Sequence, residues 1–132
     1  MPKGDNVPMP SKPTPKSGLE RVWKALFYSL SGLRHALTKE SAFQQEFVLA
    51  VVLTALALAL PLPGLLKLLL ILCHLGVMIV ELLNSGLEAI VDKASPEYHE
   101  LAKQAKDMGS AAVLLSLAGA AATWGYSLIT LL

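Results

Sequence analysis

The chain has 132 residues, of which 54% are hydrophobic and 16% are charged. That composition is too apolar for an ordinary soluble domain, and the length leaves room for a single domain. The formal net charge of +1 argues against the clustered basic surface that nucleic-acid binding requires, so we expect no nucleic-acid partner. The composition therefore indicates a membrane protein.

The N-terminal 18 residues contain five of the eight prolines and three lysines, with almost no bulky apolar residue. A segment of this composition cannot bury enough apolar surface to fold, so residues 1–18 are predicted to be a disordered tail. The remaining domain covers residues 19–132. Its first part, about residues 19–38, places apolar side chains at helical spacing and basic ones between them, which is typical of an amphipathic helix on the membrane surface.

Three apolar runs follow, at about residues 42–60, 65–91 and 107–131. Each is long enough, with its flanks, to cross a bilayer as a helix. The turn at 61–64 separates the first two runs, and the third has no charged residue after Asp107. We therefore predict an all-α membrane protein with three transmembrane helices and one surface helix. His74, within the second run, is predicted to contact a neighbouring helix.

The basic residues indicate the orientation of these spans. Seven of the eleven basic residues precede the first span, and the segment 92–107 holds three more, whereas the turn at 61–64 holds none. Short loops rich in Lys and Arg lie predominantly on the cytoplasmic side of a membrane. The N-terminus and the segment 92–107 are thus expected to be cytoplasmic. The seven residues are Lys3, Lys12, Lys16, Arg21, Lys24, Arg34 and Lys39.

The second span carries a polar face at its cytoplasmic end. Offsets of 3, 4, 7 and 11 residues return to nearly the same angle on a helix, which aligns Glu81, Asn84, Ser85, Glu88 and Asp92. A carboxylate in a bilayer costs roughly 2.5–3.5 kcal/mol, so these residues are functional candidates. Carboxylates suit magnesium and phosphoryl transfer, yet the soluble nucleotide-binding motifs are missing. The residues alone leave a transporter or a proton relay nearly as plausible as an enzyme of phosphoryl transfer.

A longer motif narrows this choice. The sequence 81–92 is Glu-Leu-Leu-Asn-Ser-Gly-Leu-Glu-Ala-Ile-Val-Asp, followed by Glu-Tyr-His-Glu at 97–100 and Ala-Lys-Asp-Met-Gly-Ser at 105–110. Together with Glu-Ser-Ala-Phe-Gln-Gln-Glu at 40–46, it resembles the signature of the bacterial integral-membrane diacylglycerol kinase family. The resemblance covers roughly residues 19–130, which leaves only the tail outside it.

The resemblance implies a homotrimer in the bacterial inner membrane, with composite active sites shared between subunits at the cytoplasmic interface. It also implies MgATP-dependent phosphorylation of diacylglycerol to phosphatidic acid, with magnesium as cofactor and ATP as co-substrate. An undecaprenol kinase of the same fold is the alternative. A further alternative, from a different functional class, is a non-enzymatic membrane subunit or transporter.

Residue roles are carried over by position. The resemblance implies that Glu81 is the general base and that Glu40 and Glu88 hold magnesium, with Asn84 and Asp92 in support. The expected nucleotide contacts are Arg21, Tyr28, Glu40, Glu88, Glu97, Tyr98, His99, Lys106 and Asp107. The expected lipid-substrate contacts are Arg21, Ala42, Phe43, Gln44, Gln45, Glu46, Glu81 and Ser110, although Glu46 is also considered as a mainly structural residue.

Overall fold

The computed structural model describes residues 18–132. Residues 1–17 of the predicted tail lie outside the described residues. The described chain forms four helices: α1 (Gly18–Lys39), α2 (Ser41–Ala59), α3 (Gly64–Ala94) and α4 (Glu100–Ile129). By length and composition, α2, α3 and α4 are each able to cross a membrane. These helices confirm the prediction of an all-α protein with three candidate spans.

The segment between α3 and α4 is shorter than the sequence indicated. Helix α3 continues to Ala94 and ends just before Pro96, since the residue preceding a proline disfavours helical geometry. Helix α4 begins at Glu100 rather than near residue 107. Lys106 and Asp107, at the end of the segment 92–107, therefore lie on a helix.

The start of α4 has a local cause. His99 occupies the N-cap position, and its ring Nδ1 accepts a hydrogen bond from the backbone N–H of Leu101 at 3.2 Å. This bond satisfies one of the four N–H groups that a helix start leaves without a partner. Glu100, in the first turn, also suits the positive end of the helix dipole.

The described residues divide into two compact units, residues 18–32 and 33–132. The described part of the first unit is the helical segment 18–32 of α1. In that segment Glu20 and Lys24 form an ion pair at 3.0 Å, and Trp23 meets Phe27 edge to face with ring centres 5.4 Å apart. Both contacts join residues one helical turn apart, so they support the helix locally.

In the second unit, α3 packs against both α2 and α4. Close to the turn between α2 and α3, Ala57, Leu62 and Leu70 form a buried apolar cluster. Lys67 Nζ donates a hydrogen bond to the carbonyl oxygen of Leu58 at 2.8 Å. This bond satisfies one of the carbonyl groups that the C-terminus of α2 leaves without a helical partner.

A histidine links all three candidate spans. His74 on α3 is buried, with 6% of its surface exposed. Trp124 on α4 donates its indole N–H to His74 Nε2 at 3.0 Å, and Thr54 on α2 lies 2.9 Å from His74 Nδ1. An indole nitrogen is only a donor, so Nε2 must accept. The imidazole is therefore neutral, with its proton on Nδ1, and it donates to the Thr54 hydroxyl oxygen.

The variant Thr54→Val tests this network. It keeps the side-chain shape but leaves the His74 Nδ1–H without a partner, so we expect a loss of about 1 kcal/mol in the free energy of unfolding. Thr54→Ser keeps the hydroxyl and serves as the matched control. Unfolding midpoints of the purified protein in detergent measure the difference. If the serine variant were as unstable as the valine variant, the hydrogen bond would not be the stabilising contact.

Candidate functional site

Polar side chains of α2, α3 and α4 surround a cleft of about 330 Å³, which we call the acidic cleft. The cleft brings together residues that are far apart in the sequence. Seven of the predicted site residues line it: Glu40, Ala42, Glu46, Glu81, Asn84, Glu88 and Ser110.

Helix α3 supplies the centre of this cleft. Glu81 and Glu88 are two helical turns apart on one face, which corresponds to about 10 Å along the axis. Glu81 is the more enclosed of the two, with only 4% of its surface exposed, and Glu88 is half-buried. The cleft thus holds one sheltered carboxylate and one accessible carboxylate.

The start of α2 supplies two further carboxylates. Glu40 occupies the N-cap position of α2, where its backbone is extended, and its side chain lies 3.5 Å from His35 Nε2. A carboxylate at this point is stabilised by the positive end of the helix dipole. Glu46 is one and a half turns further along, and its Oε2 is buried without a hydrogen-bond partner among the described residues.

An amide connects to one of these carboxylates. Asn84 Nδ2 donates a hydrogen bond to Glu88 Oε1 at 3.3 Å, one turn along α3. The other amide atom, Oδ1, is buried, and no hydrogen-bond partner for it is found in residues 18–132. Asn84 therefore directs a donor at Glu88 and restricts the positions its carboxylate can take.

The other predicted lipid contacts on α2 point elsewhere within this chain. Phe43 is fully buried and lines a separate apolar groove between α2 and α3. Gln44 and Gln45 line an open groove along α2 with Val48, Leu49 and Val52. The acidic cleft therefore contains Ala42 and Glu46 from the segment 42–46, but not the three residues between them.

The end of α3 and the start of α4 are joined by an ion pair. Lys106 Nζ lies 3.0 Å from Asp92 Oδ1, and Lys103 pairs with Asp107 one turn along α4. All four side chains are exposed to a considerable degree. The two predicted nucleotide contacts in this group, Lys106 and Asp107, each have a partner of opposite charge on the protein.

The segment between α3 and α4 holds the remaining predicted contacts of this unit. Tyr98 is exposed, and its hydroxyl donates to Glu100 Oε2 at 2.8 Å. Because this bond is lost when the hydroxyl ionises, it raises the pKa of Tyr98 above its ordinary value. Nearby, the Ser95 hydroxyl donates to the Glu97 carbonyl oxygen at 3.0 Å. His99 uses Nδ1 in the helix cap, so only Nε2 remains for a ligand.

Arg21 and Tyr28 lie on the segment 18–32 of α1, which belongs to the other unit. Both side chains are exposed. Their predicted nucleotide contacts stay predictions.

The cleft also contains residues for which the sequence gave no role: Ser41, Ser85 and Val113. The helical arc through Glu81 and Glu88 already included Ser85, so its position was predictable although its role was not. Ser41 follows Glu40 directly and is the first residue of α2. Val113 lies one turn after Ser110 on α4, and nothing in its apolar side chain singled it out.

The donor set fits a magnesium ion held together with a phosphate ligand. Within residues 18–132, no three side chains of His, Cys, Asp or Glu converge into a self-sufficient metal site. Magnesium, however, commonly uses one or two carboxylates and completes its octahedron with water and substrate phosphates. Glu40 and Glu88, which both line the acidic cleft, are suitable carboxylates.

The fold and the cleft together define a class: a small helical membrane protein with a carboxylate-lined site between its spanning helices. Residues 27–128 match the sequence model of the prokaryotic diacylglycerol kinase family. The chain belongs to that family.

Several curated relatives agree with this assignment. The diacylglycerol kinase of Escherichia coli K12 is 47% identical over 108 residues, which cover 82% of this chain and 88% of the relative. That of Helicobacter pylori J99 is 47% identical over 120 residues, covering 90% and 93%. That of Pseudomonas aeruginosa is 44% identical over 114 residues, covering 86% and 93%. In each case the similarity extends over nearly the whole of both chains.

The shifted pKa of Tyr98 gives a test of the loop geometry. In Glu100→Gln the charged acceptor is lost, so we expect the pKa of Tyr98 to fall towards its ordinary value. Glu97→Gln is the matched control, because the hydrogen bond of Tyr98 is to Glu100. The pH dependence of the Tyr98 ring signal in a ¹³C-tyrosine NMR spectrum measures both. If the pKa of Tyr98 were the same in the two variants, the contact between Tyr98 and Glu100 would be contradicted.

The sign of the linkage follows from the direction of the shift. A pKa raised in the folded protein means that the contact contributes stability below the unfolded pKa of tyrosine. The contribution is lost as the pH rises through the folded pKa.

Proposed function

We propose that this protein catalyses the MgATP-dependent phosphorylation of diacylglycerol to phosphatidic acid at the cytoplasmic face of the bacterial inner membrane. The observation that carries the proposal is the acidic cleft, in which four carboxylates and an amide from α2 and α3, together with Ser110 of α4, surround one space. The family and the names of the curated relatives supply the reaction class.

In this proposal Glu81 is the general base. It takes the proton from the free hydroxyl of diacylglycerol while the hydroxyl oxygen forms a bond to the γ-phosphorus and the bond to the departing ADP breaks. A sheltered position suits this role, because an enclosed site keeps bulk water away from the reacting hydroxyl. The 4% exposure of Glu81 supports this assignment.

Glu40 and Glu88 are proposed to hold the magnesium ion. When bound there, magnesium neutralises charge on the nucleotide phosphates. Asn84 supports this part of the site through its hydrogen bond to Glu88, and Asp92 supports it through its ion pair with Lys106. The other proposed nucleotide contacts are Arg21, Tyr28, Glu97, Tyr98, His99, Lys106 and Asp107.

The lipid is proposed to approach from the α2 side of the cleft. Ala42, Glu46 and Ser110 line the cleft beside Glu81, so a glyceride headgroup entering there would meet them. The open groove along α2 at Gln44 and Gln45 is continuous with the bilayer if α2 spans it. For Phe43, whose side chain is fully buried, we propose a packing role at this edge.

We further propose that α1 lies on the membrane surface and that the protein functions as a homotrimer with shared sites. Two observations support a shared site. Within residues 18–132 no group of three His, Cys, Asp or Glu side chains is arranged to hold a metal ion by itself, and many large apolar side chains of α2, α3 and α4 are exposed on the single chain. The excess of basic residues in the N-terminal segment supports a cytoplasmic N-terminus.

Transfer of labelled phosphate from ATP tests the function. The full chain in mixed micelles is offered diacylglycerol and undecaprenol side by side, with and without magnesium. We expect magnesium-dependent labelling of diacylglycerol. Preferential labelling of undecaprenol would replace the proposed acceptor with a polyprenyl alcohol. Labelling of neither lipid would contradict the kinase activity itself.

Two variants separate the proposed roles. Glu81→Gln removes the base while keeping the volume of a buried side chain, so we expect kcat to fall by about 100-fold or more at all magnesium concentrations. Glu88→Gln weakens a metal ligand, so we expect its deficit to shrink as magnesium rises. Initial rates across a magnesium titration distinguish the two patterns.

Glu20→Gln is the control, because Glu20 lies outside the acidic cleft in the first unit. It should retain the wild-type rate. A Glu81→Gln protein with near-normal turnover would rule out Glu81 as the general base.

A further inference from the structure

One glycine in the described chain has no room for a side chain. A Cβ atom added at Gly109 on α4 would overlap Asn84 Oδ1 and would come within 3.1 Å of Leu87 Cδ2. At every other described glycine, a Cβ would meet nothing within 4 Å; these are Gly18, Gly32, Gly64, Gly76, Gly86, Gly119 and Gly125. The space next to Gly109 is therefore occupied by the Asn84 side chain.

The Asn84 amide cannot easily turn away from this position. Its Nδ2 donates to Glu88 Oε1, and rotating the amide by half a turn would place two oxygen acceptors against each other. The hydrogen bond to Glu88 therefore fixes the orientation of the Asn84 amide, and in this orientation Oδ1 points towards α4. There the oxygen is buried, lacks a hydrogen-bond partner within residues 18–132, and packs against the bare glycine.

We propose that Gly109 is a positioning residue for the magnesium ligand Glu88. The absence of a side chain at Gly109 leaves the space that holds the Asn84 amide, and the amide in turn holds the Glu88 carboxylate. This inference rests on the proposed function, in which Glu88 binds the metal. An alanine at 109 displaces the amide, because the obstruction comes from a methyl group fixed to a helix backbone.

The competing explanation is that Gly109 only allows α3 and α4 to approach closely. Leu87 also lies near the added Cβ, but the contact is with the end of a flexible side chain that can move by a few tenths of an ångström. In that explanation, the effect of an alanine at 109 does not depend on Asn84. The two explanations therefore differ in which second substitution removes the effect of Gly109→Ala.

The experiment compares Gly109→Ala with Gly86→Ala, a glycine on α3 where an added Cβ meets nothing. For Gly109→Ala we expect the magnesium concentration at half-maximal rate to rise about 10-fold or more, because a group that orients a metal ligand contributes that much to metal affinity. For Gly86→Ala we expect the wild-type value. Equal values in Gly109→Ala and in the wild type would overturn the proposal.

A second readout does not depend on activity. The side-chain amide signal of Asn84 in a ¹⁵N–¹H spectrum should move in Gly109→Ala and stay unchanged in Gly86→Ala. If the wild-type protein failed to phosphorylate diacylglycerol, the proposed function would be wrong, but this spectrum would still test the contact. An unmoved Asn84 signal in Gly109→Ala would overturn the inference.

Double variants identify the group that Gly109 accommodates. In an Asn84→Ala background, adding Gly109→Ala should change the magnesium requirement by less than about twofold, since the obstructing amide is gone. If Gly109→Ala alone does not fold, the same double variant should recover the folded protein. Additive effects of the two substitutions would contradict the inference. Rescue by Leu87→Ala instead of Asn84→Ala would contradict it as well.

Discussion

A polar side chain within an apolar helix must find its partner inside the protein, because the hydrocarbon interior of a bilayer offers no water. Helix α3 carries three such residues at seven-residue intervals, His74, Glu81 and Glu88, on one face of the helix. The arrangement of the second unit depends on how each of them is accommodated. The first is bonded to both neighbouring helices, and the other two face a cleft.

This difference separates polar groups that are satisfied within the chain from those that line the cleft. Both ring nitrogens of His74 have partners within the chain, which leaves the imidazole nothing further to bind. Around Glu81 and Glu88, by contrast, two buried oxygens of the described residues lack partners, on Glu46 and Asn84. Unpaired acceptors in an enclosed site are costly unless a ligand or water completes them. The cleft therefore has unused acceptor capacity next to the carboxylates.

Much of the fold could be predicted from the sequence, since apolar runs of sufficient length have few alternatives to spanning helices. The alignment of Glu81, Asn84 and Glu88 followed from helical periodicity alone. Helix ends were less predictable. Helix α4 begins earlier than its apolar run because a ring nitrogen of His99 caps it, and a histidine in a sequence does not by itself indicate a helix cap. The sequence indicated a helix contact for His74, but not its partners on α2 and α4.

The site was predictable where one helix builds it and less so where several do. The segment 42–46 was expected to face the substrate as a whole, yet a helix turns by about 100° per residue, so its side chains point in different directions. Ala42 and Glu46 share the cleft, whereas Phe43 is buried elsewhere. The role of Gly109 is a similar case, since a missing side chain has meaning only once its neighbour on another helix is known.

The connections between the spans are short, and each of α2 and α4 packs on α3, its neighbour in the sequence. Contacts between consecutive helices have low sequence separation, which favours fast assembly. During synthesis α2 and α3 emerge before α4, and the polar face of α3 then lacks both the Trp124 indole and the surface around Gly109. Only when α4 packs against α3 are the hydrogen bonds of His74 and the contact between Asn84 and Gly109 complete. The acidic cleft likewise lacks one wall until Ser110 and Val113 of α4 are in place.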